Sequence, residues 1–253
     1  MKFFYPTIGQ YFPAESLVHR LDPRIKIILT MFLMVTIFTI KKYTGFFFVI
    51  LFLILAVLLS ELPFRWVLKG LRPLKFVLLV TFFIHLFFTP GLIFYKIGFL
   101  KITEEGLTNG LFFSLRLILL VAGASILTLT TTPIELTDAI EYLLSPFKRF
   151  KVPAHELAMM MTIALRFIPT LLMEAERILK AQVSRGADFE SRNILKRAES
   201  LIPFVIPLFV SAFRRADELA LAMESRCYRG GEGRTRLRAL EMNIKDWLAL
   251  FLS

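Results

Sequence analysis

The sequence predicts an all-α, polytopic membrane protein: four to five transmembrane helices plus a helical region that contains two long helices. Three observations carry this. Hydrophobic residues make up 56% of the 253-residue chain and 27 of its residues are Phe, more apolar mass than a soluble domain of this size carries. Those residues form long runs, and roughly 20 apolar residues cross a hydrocarbon core. The 31 Lys and Arg, which give a net charge of +11, are concentrated in a few stretches between the runs. A basic balance fits nucleic acid, an anionic membrane face or acidic protein partners; the apolar runs select the membrane and leave no role for nucleic acid.

The first candidate span covers about 25–40, with Asp22 as its N-cap and Pro23 at its first helical position. The second covers about 45–60, after the link Lys41-Lys42-Tyr43-Thr44. The third covers about 74–88 and stops at Pro90-Gly91. The fourth covers about 107–131. Together they make residues 1–132 a transmembrane region. A short fifth segment, 241–253, reads as a membrane or interfacial helix from Trp247 onward. No charged leader runs into an apolar stretch at the N-terminus, so no cleavable signal is expected.

Orientation follows from the cations. Residues 1–26 hold four Lys/Arg, the connection between the second and third spans holds four (Arg65, Lys69, Arg72, Lys75), and residues 133–245 hold eighteen. The other two connections hold four together (Lys41, Lys42, Lys96, Lys101). The basic side is placed in the cytoplasm, with the N-terminus. The pair Lys41-Lys42 goes against that rule.

Residues 133–240 read as a helical cytoplasmic or interfacial region. Thr132-Pro133-Ile134-Glu135 is a capping box with Pro at the first helical position. Helices are expected over about 133–145, 153–186 with Gly186 as the C-cap, and 203–227, ending before Gly230-Gly231. Pro169 should kink or divide the second of these.

Within this region one phrase occurs twice, offset by 41 positions. Residues 175–186 read AERILKAQVSRG and residues 216–227 read ADELALAMESRC. Each copy ends in Ser-Arg and a small residue: Ser184-Arg185-Gly186 and Ser225-Arg226-Cys227. An Arg in a last helical turn complements the dipole, and its planar fork also suits carboxylates or exposed carbonyls. A duplicated tip points to two equivalent sockets on soluble proteins. Met159, Met160, Met161 and Met173 on one helix and Met223 on the other suit a surface that repacks against different partners, or ordinary core filling.

Catalytic chemistry finds little support. There is no Gly-Lys-Ser/Thr phosphate loop; His155-Glu156 has no second His four residues on; the histidines lie scattered at 19, 85 and 155; and the single Cys227 builds neither a thiolate site nor a disulfide. His85 and Arg116 would lie at membrane depth, with Arg116 close to the midplane if its helix starts at Gly106. Snorkelling, or pairing of Arg116 with Ser114 or Asn109, is the plainer reading. The tail Arg229, Arg234, Arg236 and Arg238 is a headgroup-facing basic patch.

The chain resembles the transmembrane T component of energy-coupling factor (ECF) transporters, the EcfT/CbiQ family. The likeness runs through His19-Arg20-Leu21-Asp22-Pro23-Arg24, Leu129-Thr130-Thr131-Thr132-Pro133-Ile134-Glu135-Leu136, Ala164-Leu165-Arg166-Phe167-Ile168-Pro169, Ala181-Gln182-Val183-Ser184-Arg185-Gly186 and Ala222-Met223-Glu224-Ser225-Arg226. The resemblance implies a non-catalytic scaffold without cofactors in a prokaryotic plasma membrane. Such a scaffold joins two cytosolic ATP-binding-cassette (ABC) ATPase subunits to one or more substrate-binding membrane S components that capture a vitamin or a transition-metal ion. It makes the two long helices coupling helices. It carries ATPase docking onto Ser184, Arg185 and Gly186 for one ATPase and Ser225, Arg226 and Cys227 for the other, with Cys227 departing from the usual Gly. Capture-subunit contact would fall on Met159, Met160, Met161, Arg166 and Met173. The competing readings are a stand-alone secondary transporter, which needs a midplane site in repeated halves, and a membrane-embedded transferase, for which Glu135, Asp138 and Glu141 are the only acidic group.

Overall fold

The computed structural model describes residues 11–97, 100–150, 153–187, 189 and 194–230. Eight α-helices lie among them: α1 Pro23–Thr39, α2 Tyr43–Leu59, α3 Phe64–Leu71, α4 Lys75–Phe88, α5 Glu104–Thr130, α6 Pro133–Leu144, α7 Ala154–Ser184 and α8 Ile194–Ser225. Among the described residues the protein is all-α apart from one antiparallel hairpin, β1 Ile93–Ile97 with β2 Leu100–Thr103, where Ile97 pairs with Leu100. The chain divides into two compact units, one up to Ala139 and one from Ile140. The expected C-terminal segment 241–253, and Arg234, Arg236 and Arg238, lie outside the described residues.

In the first unit α5 is the hub, packing against α1, α2, α3 and α4. The core gathers Ile37, Phe46, Val49, Leu53, Val57, Leu62 and Val67 around Leu119, Ile126 and Leu129 of α5. Phe47 and Phe48 of α2, Met31 and Phe38 of α1, and Phe76 and Phe88 of α4 point outward. An inside-apolar, outside-apolar helix set is a lipid-solvated one. In lipid, helix association depends on close packing at small residues rather than on apolar burial. Gly106 shows this: a Cβ there would stand 2.8 Å from the carbonyl oxygens of both His85 and Leu86 on α4. Those are backbone atoms and cannot rotate away. Gly106→Ala is therefore expected to push α4 off α5 and cost about 1–3 kcal/mol, read as a lower unfolding temperature in detergent.

The helix starts follow local chemistry. Asp22 caps α1, its Oδ1 accepting the Arg24 N–H at 2.8 Å, with Pro23 in the first turn. Thr103 caps α5 by accepting the Gly106 N–H at 3.0 Å. Thr132 and Glu135 form the reciprocal box: the Thr132 N–H donates to Glu135 Oε2 at 2.9 Å, and the Glu135 N–H donates to Thr132 Oγ1 at 3.3 Å.

The segment before α1 is fastened to the end of α5. The Phe12 N–H donates to the Leu129 carbonyl at 2.9 Å. Lys26, only 5% exposed, donates from Nζ to the carbonyls of His19 and Thr130, both at 3.0 Å. Thr130 is the last residue of α5, so its carbonyl has no partner within the helix and the ammonium sits where the dipole favours it. His19 bridges the Phe12 carbonyl through Nε2 (3.0 Å) and the Ser16 hydroxyl through Nδ1 (2.6 Å). Burial, more than any other influence, lowers its pKa from 6.5. A lowered imidazole pKa means that the unfolded chain takes up the proton first. Stability of this unit is therefore expected to fall as pH drops below about 6.5, and His19→Gln to flatten that slope in thermal unfolding between pH 7.5 and 5.5.

Three expectations are corrected here. The 61–75 connection is not a loop: α3, then a 3-10 turn at Arg72–Leu74, then α4, form one helical segment from Phe64 to Phe88. Phe64, Val67, Leu68 and Leu71 recur at helical spacing, and Arg65, Lys69 and Arg72 between them disguised it; Val67 is buried and Lys69 lies over the Trp66 ring at 4.4 Å. The 89–106 connection contains the hairpin, whose β-branched and aromatic residues favour strands. Helix α8 begins at Ile194 rather than near Pro203.

Three helical segments among the described residues are long and apolar enough to cross a membrane: Phe64–Phe88, Glu104–Thr130 and Ala154–Ser184; Tyr43–Leu59 is apolar but shorter. The last of the three lies in the region read from charge as cytoplasmic or interfacial.

Candidate functional site

The second unit pairs α7 with α8. Their contacts run in opposite order along the two helices: Glu174 Oε2 accepts from Arg215 Nη2 at 3.5 Å, and Gln182 Nε2 donates to the Pro203 carbonyl at 3.0 Å. The helices are antiparallel. The Gln182 bond shows how α8 passes through Pro207, one of its two internal prolines. Pro207 has no N–H, so it leaves the Pro203 carbonyl without its helical partner; the buried Gln182 amide, 9% exposed, takes that place.

Both helices end in the same way. At α7 the Gly186 N–H donates to the Val183 carbonyl (2.9 Å) and the Ala187 N–H to the Gln182 carbonyl (3.0 Å). At α8 the Cys227 N–H donates to the Glu224 carbonyl (2.8 Å) and the Tyr228 N–H to the Met223 carbonyl (3.0 Å). Gly186 and Cys227 both take left-handed backbone, with φ of +89° and +56°. These are two Schellman terminations, one bond pattern repeated 41 residues apart. Arg185 and Arg226 occupy the C-cap of each, and both are exposed. The serines turn back into their own helices: Ser184 Oγ donates to the Lys180 carbonyl and Ser225 Oγ to the Ala222 carbonyl, both at 3.0 Å. No hydrogen bond or ion pair holds either tip guanidinium among the described residues.

Cys227 does what Gly186 does at a steric cost, since left-handed backbone crowds a Cβ. Cys227→Gly is expected to tighten the α8 tip by about 0.5–1 kcal/mol after allowance for the more flexible unfolded chain. Slower hydrogen exchange at the 227 and 228 amides would register it.

The repeat also sets the spacing. Glu174 and Arg215 are equivalent positions, 41 apart, and they touch. Arg185 lies 11 residues beyond Glu174, and Arg226 lies 11 beyond Arg215. Each tip thus stands roughly 16 Å from the contact along its own helix. Because the helices are antiparallel, the tips point away from each other, up to about 33 Å apart. The pair has an approximate local two-fold through the Glu174–Arg215 contact.

Of the other candidates, Met160, Met161 and Met173 are exposed on α7, Met159 is half-buried, and Arg166 is exposed. Sequence reading missed an exposed apolar stripe on α8: Ile202, Ile206, Phe209 and Phe213. Their spacing of four, three and four residues is one helix face, and it was readable once α8 was known to extend through Pro203. Arg116 pairs with neither Ser114 nor Asn109. Its Nη2 donates to the Ile40 carbonyl at 2.6 Å, beyond the last turn of α1, and the guanidinium lies over the Phe112 and Phe113 rings at 5.0 and 5.4 Å. It therefore stands level with the α1–α2 turn rather than at a midplane. His85 bonds the Thr81 carbonyl at 2.8 Å and packs at a tilt against Phe113, ring centroids 4.6 Å apart. Among the described residues no group of three or more His, Cys, Asp or Glu could hold a metal ion.

Comparison with known proteins gives matches over nearly the whole chain. The CbiQ family model, described as "Cobalt transport protein", matches residues 14–237. The "Energy-coupling factor transporter transmembrane protein EcfT" of Thermosediminibacter oceani is 57% identical over 247 residues, covering 98% of this chain and 93% of that protein. The protein of the same description in Ruminiclostridium cellulolyticum is 57% identical over 242 residues (96% and 91%), and that of Bacillus subtilis is 51% identical over 241 residues (94% and 91%). With matches of this extent over nearly its full length, the chain belongs to the CbiQ/EcfT family of energy-coupling factor transporter transmembrane proteins.

Proposed function

We propose that this chain is the energy-coupling scaffold of an ABC importer, gripped at Arg185 and Arg226 by two cytosolic ATPases and bearing a separate membrane subunit that captures a vitamin or a transition-metal ion. The observation that carries this is the pair of identical helix terminations, each presenting a C-cap arginine, on opposite sides of a local two-fold. Two ATPase subunits that dimerise around ATP present two equivalent sockets, and an antiparallel helix pair with equivalent tips matches that symmetry. The planar guanidinium and the neighbouring left-handed turn suit a carboxylate-lined groove.

In this reading Ser184, Arg185 and Gly186 dock one ATPase, and Ser225, Arg226 and Cys227 the other. ATP binding draws the ATPases together and moves the tips; α7 and α8 carry the motion. The capture subunit rests on the exposed Met160, Met161 and Met173 of α7, with half-buried Met159 and exposed Arg166 on the same helix, and on the Ile202–Phe213 stripe of α8. Residues 133–240 stay on the cytoplasmic side of the plasma membrane with the N-terminus. A crossing α7 would draw Arg166 and the Glu174–Arg215 pair into hydrocarbon, which is costly; an interfacial α7 leaves them in water while its apolar face meets lipid or protein. Affinity purification of the tagged chain from native membranes, followed by identification of the bound chains, tests the assembly. Recovery of two ABC ATPase chains and a small polytopic membrane protein is the expected result; recovery of the chain alone under mild detergent would exclude it.

A further inference from the structure

We propose that the cavity between the α1–α2 turn and α5 is a binding site for the phosphate of an anionic lipid headgroup. The cavity has a volume of about 330 Å³ and is open to the surface. Two cations line it, Lys41 and Arg116, and no carboxylate does among the described residues. The nearby Glu105 is turned away, accepting the Leu92 N–H at 2.7 Å. Exposed Asn109 and Thr108 add polar side chains to the wall.

Arg116 is held in place for a ligand. The Ile40 carbonyl and the faces of Phe112 and Phe113 fix the guanidinium, yet that carbonyl uses one of its five N–H donors. Its Nε finds no partner among the described residues. Tyr43 firms the opposite wall, its hydroxyl donating to the Thr108 carbonyl at 2.6 Å. A fixed guanidinium with spare donors beside an ammonium is phosphate-binding chemistry.

The position selects a lipid phosphate over a free one. The cavity sits where α1 ends and α2 begins, the level at which hydrocarbon gives way to headgroups. Tyr43 marks that level, as amphipathic aromatics do, and exposed Phe47 and Phe48 begin the lipid-facing surface directly beyond it. A headgroup seated on Lys41 and Arg116 leaves its acyl chains along that surface. The site also accounts for Lys41, which runs against the distribution of cations elsewhere in the chain: it serves a ligand rather than topology. The inference rests on membrane placement alone and is independent of how the tips dock.

The full-length protein is reconstituted in nanodiscs of equal parts phosphatidylglycerol and phosphatidylcholine, released into mild detergent, and its retained lipids are counted by native mass spectrometry. Wild type is expected to retain phosphatidylglycerol in preference to phosphatidylcholine. Lys41→Gln should weaken that retention about fivefold, the worth of one cation at an anionic surface, and Lys41→Gln with Arg116→Lys should weaken it further. Lys41→Gln is the deciding variant, because its exposed side chain takes no part in the packing of α1. Equal retention of the two lipids, or phosphatidylglycerol retention unchanged by Lys41→Gln, would overturn the proposal. In a second arm, inorganic phosphate is added to protein in phosphatidylcholine nanodiscs. No thermal stabilisation is expected; stabilisation that Lys41→Gln removes would overturn the lipid assignment in favour of free phosphate.

Discussion

ATP-driven uptake is expected to fall sharply in Arg185→Ala or Arg226→Ala and to vanish in the double variant. Truncating a buried arginine anchor at a protein interface costs about 2 kcal/mol or more, roughly 30-fold in affinity. One weakened grip leaves the scaffold tethered to a single ATPase, which cannot transmit closure of the pair. Losing both leaves nothing to move it. Both side chains are exposed at the C-cap of a helix whose termination is made by backbone bonds alone, so the variants should fold and insert normally. Arg177→Ala, an exposed arginine two turns before the α7 tip, is the control expected to leave uptake unchanged. Uptake is measured in whole cells or proteoliposomes at matched expression. Wild-type uptake by the double variant would remove the docking reading.

Lys26→Met is expected to be the most damaging single change to the first unit. Methionine keeps the length and apolar stem of lysine but loses the ammonium. Two charge-assisted bonds go with it, each worth about 1.5–3 kcal/mol, and the part-buried His19 and buried Thr130 carbonyls lose that donor. A total near 3 kcal/mol or above should lower the unfolding temperature by several degrees and release the segment that Lys26 fastens to the end of α5. Fluorescence-monitored unfolding in detergent, with limited proteolysis around residues 11–22, measures both effects. Lys75→Met, which changes an exposed lysine at the start of α4, should change neither. Equal stability of the Lys26 and Lys75 variants would show that the buried ammonium does not hold the N-terminal segment.

Much of this architecture was legible in the chain because its signals are local. Asp22-Pro23 and the Thr132/Glu135 box announce helix starts through side chains within three residues of the bonds they make. Gly186 announces a helix end because left-handed backbone is where glycine belongs. The duplicated tip was visible as text, and its meaning as a repeated termination needed only the bond pattern. What stayed hidden depends on distant partners. The expected start near Pro203 missed the turns of α8 that precede it, and at Pro207, which has no N–H for the Pro203 carbonyl, the missing donor comes from Gln182, 21 residues earlier in sequence. Arg116 looked like a midplane charge because the depth of a helical position depends on which neighbour it meets; the Ile40 carbonyl sets that depth. The amphipathic α3 was hidden by counting its cations as a loop. The hairpin was hidden by reading two short apolar strands between longer helices as a connection.

The number of ATPase subunits bound per chain tests the coupling account most directly. Native mass spectrometry of the purified assembly, in wild type and in the Arg185→Ala, Arg226→Ala and double variants, should give two ATPases, one, one and none. A complement of two that survives the double substitution, or a wild-type chain that binds a single ATPase, would contradict it.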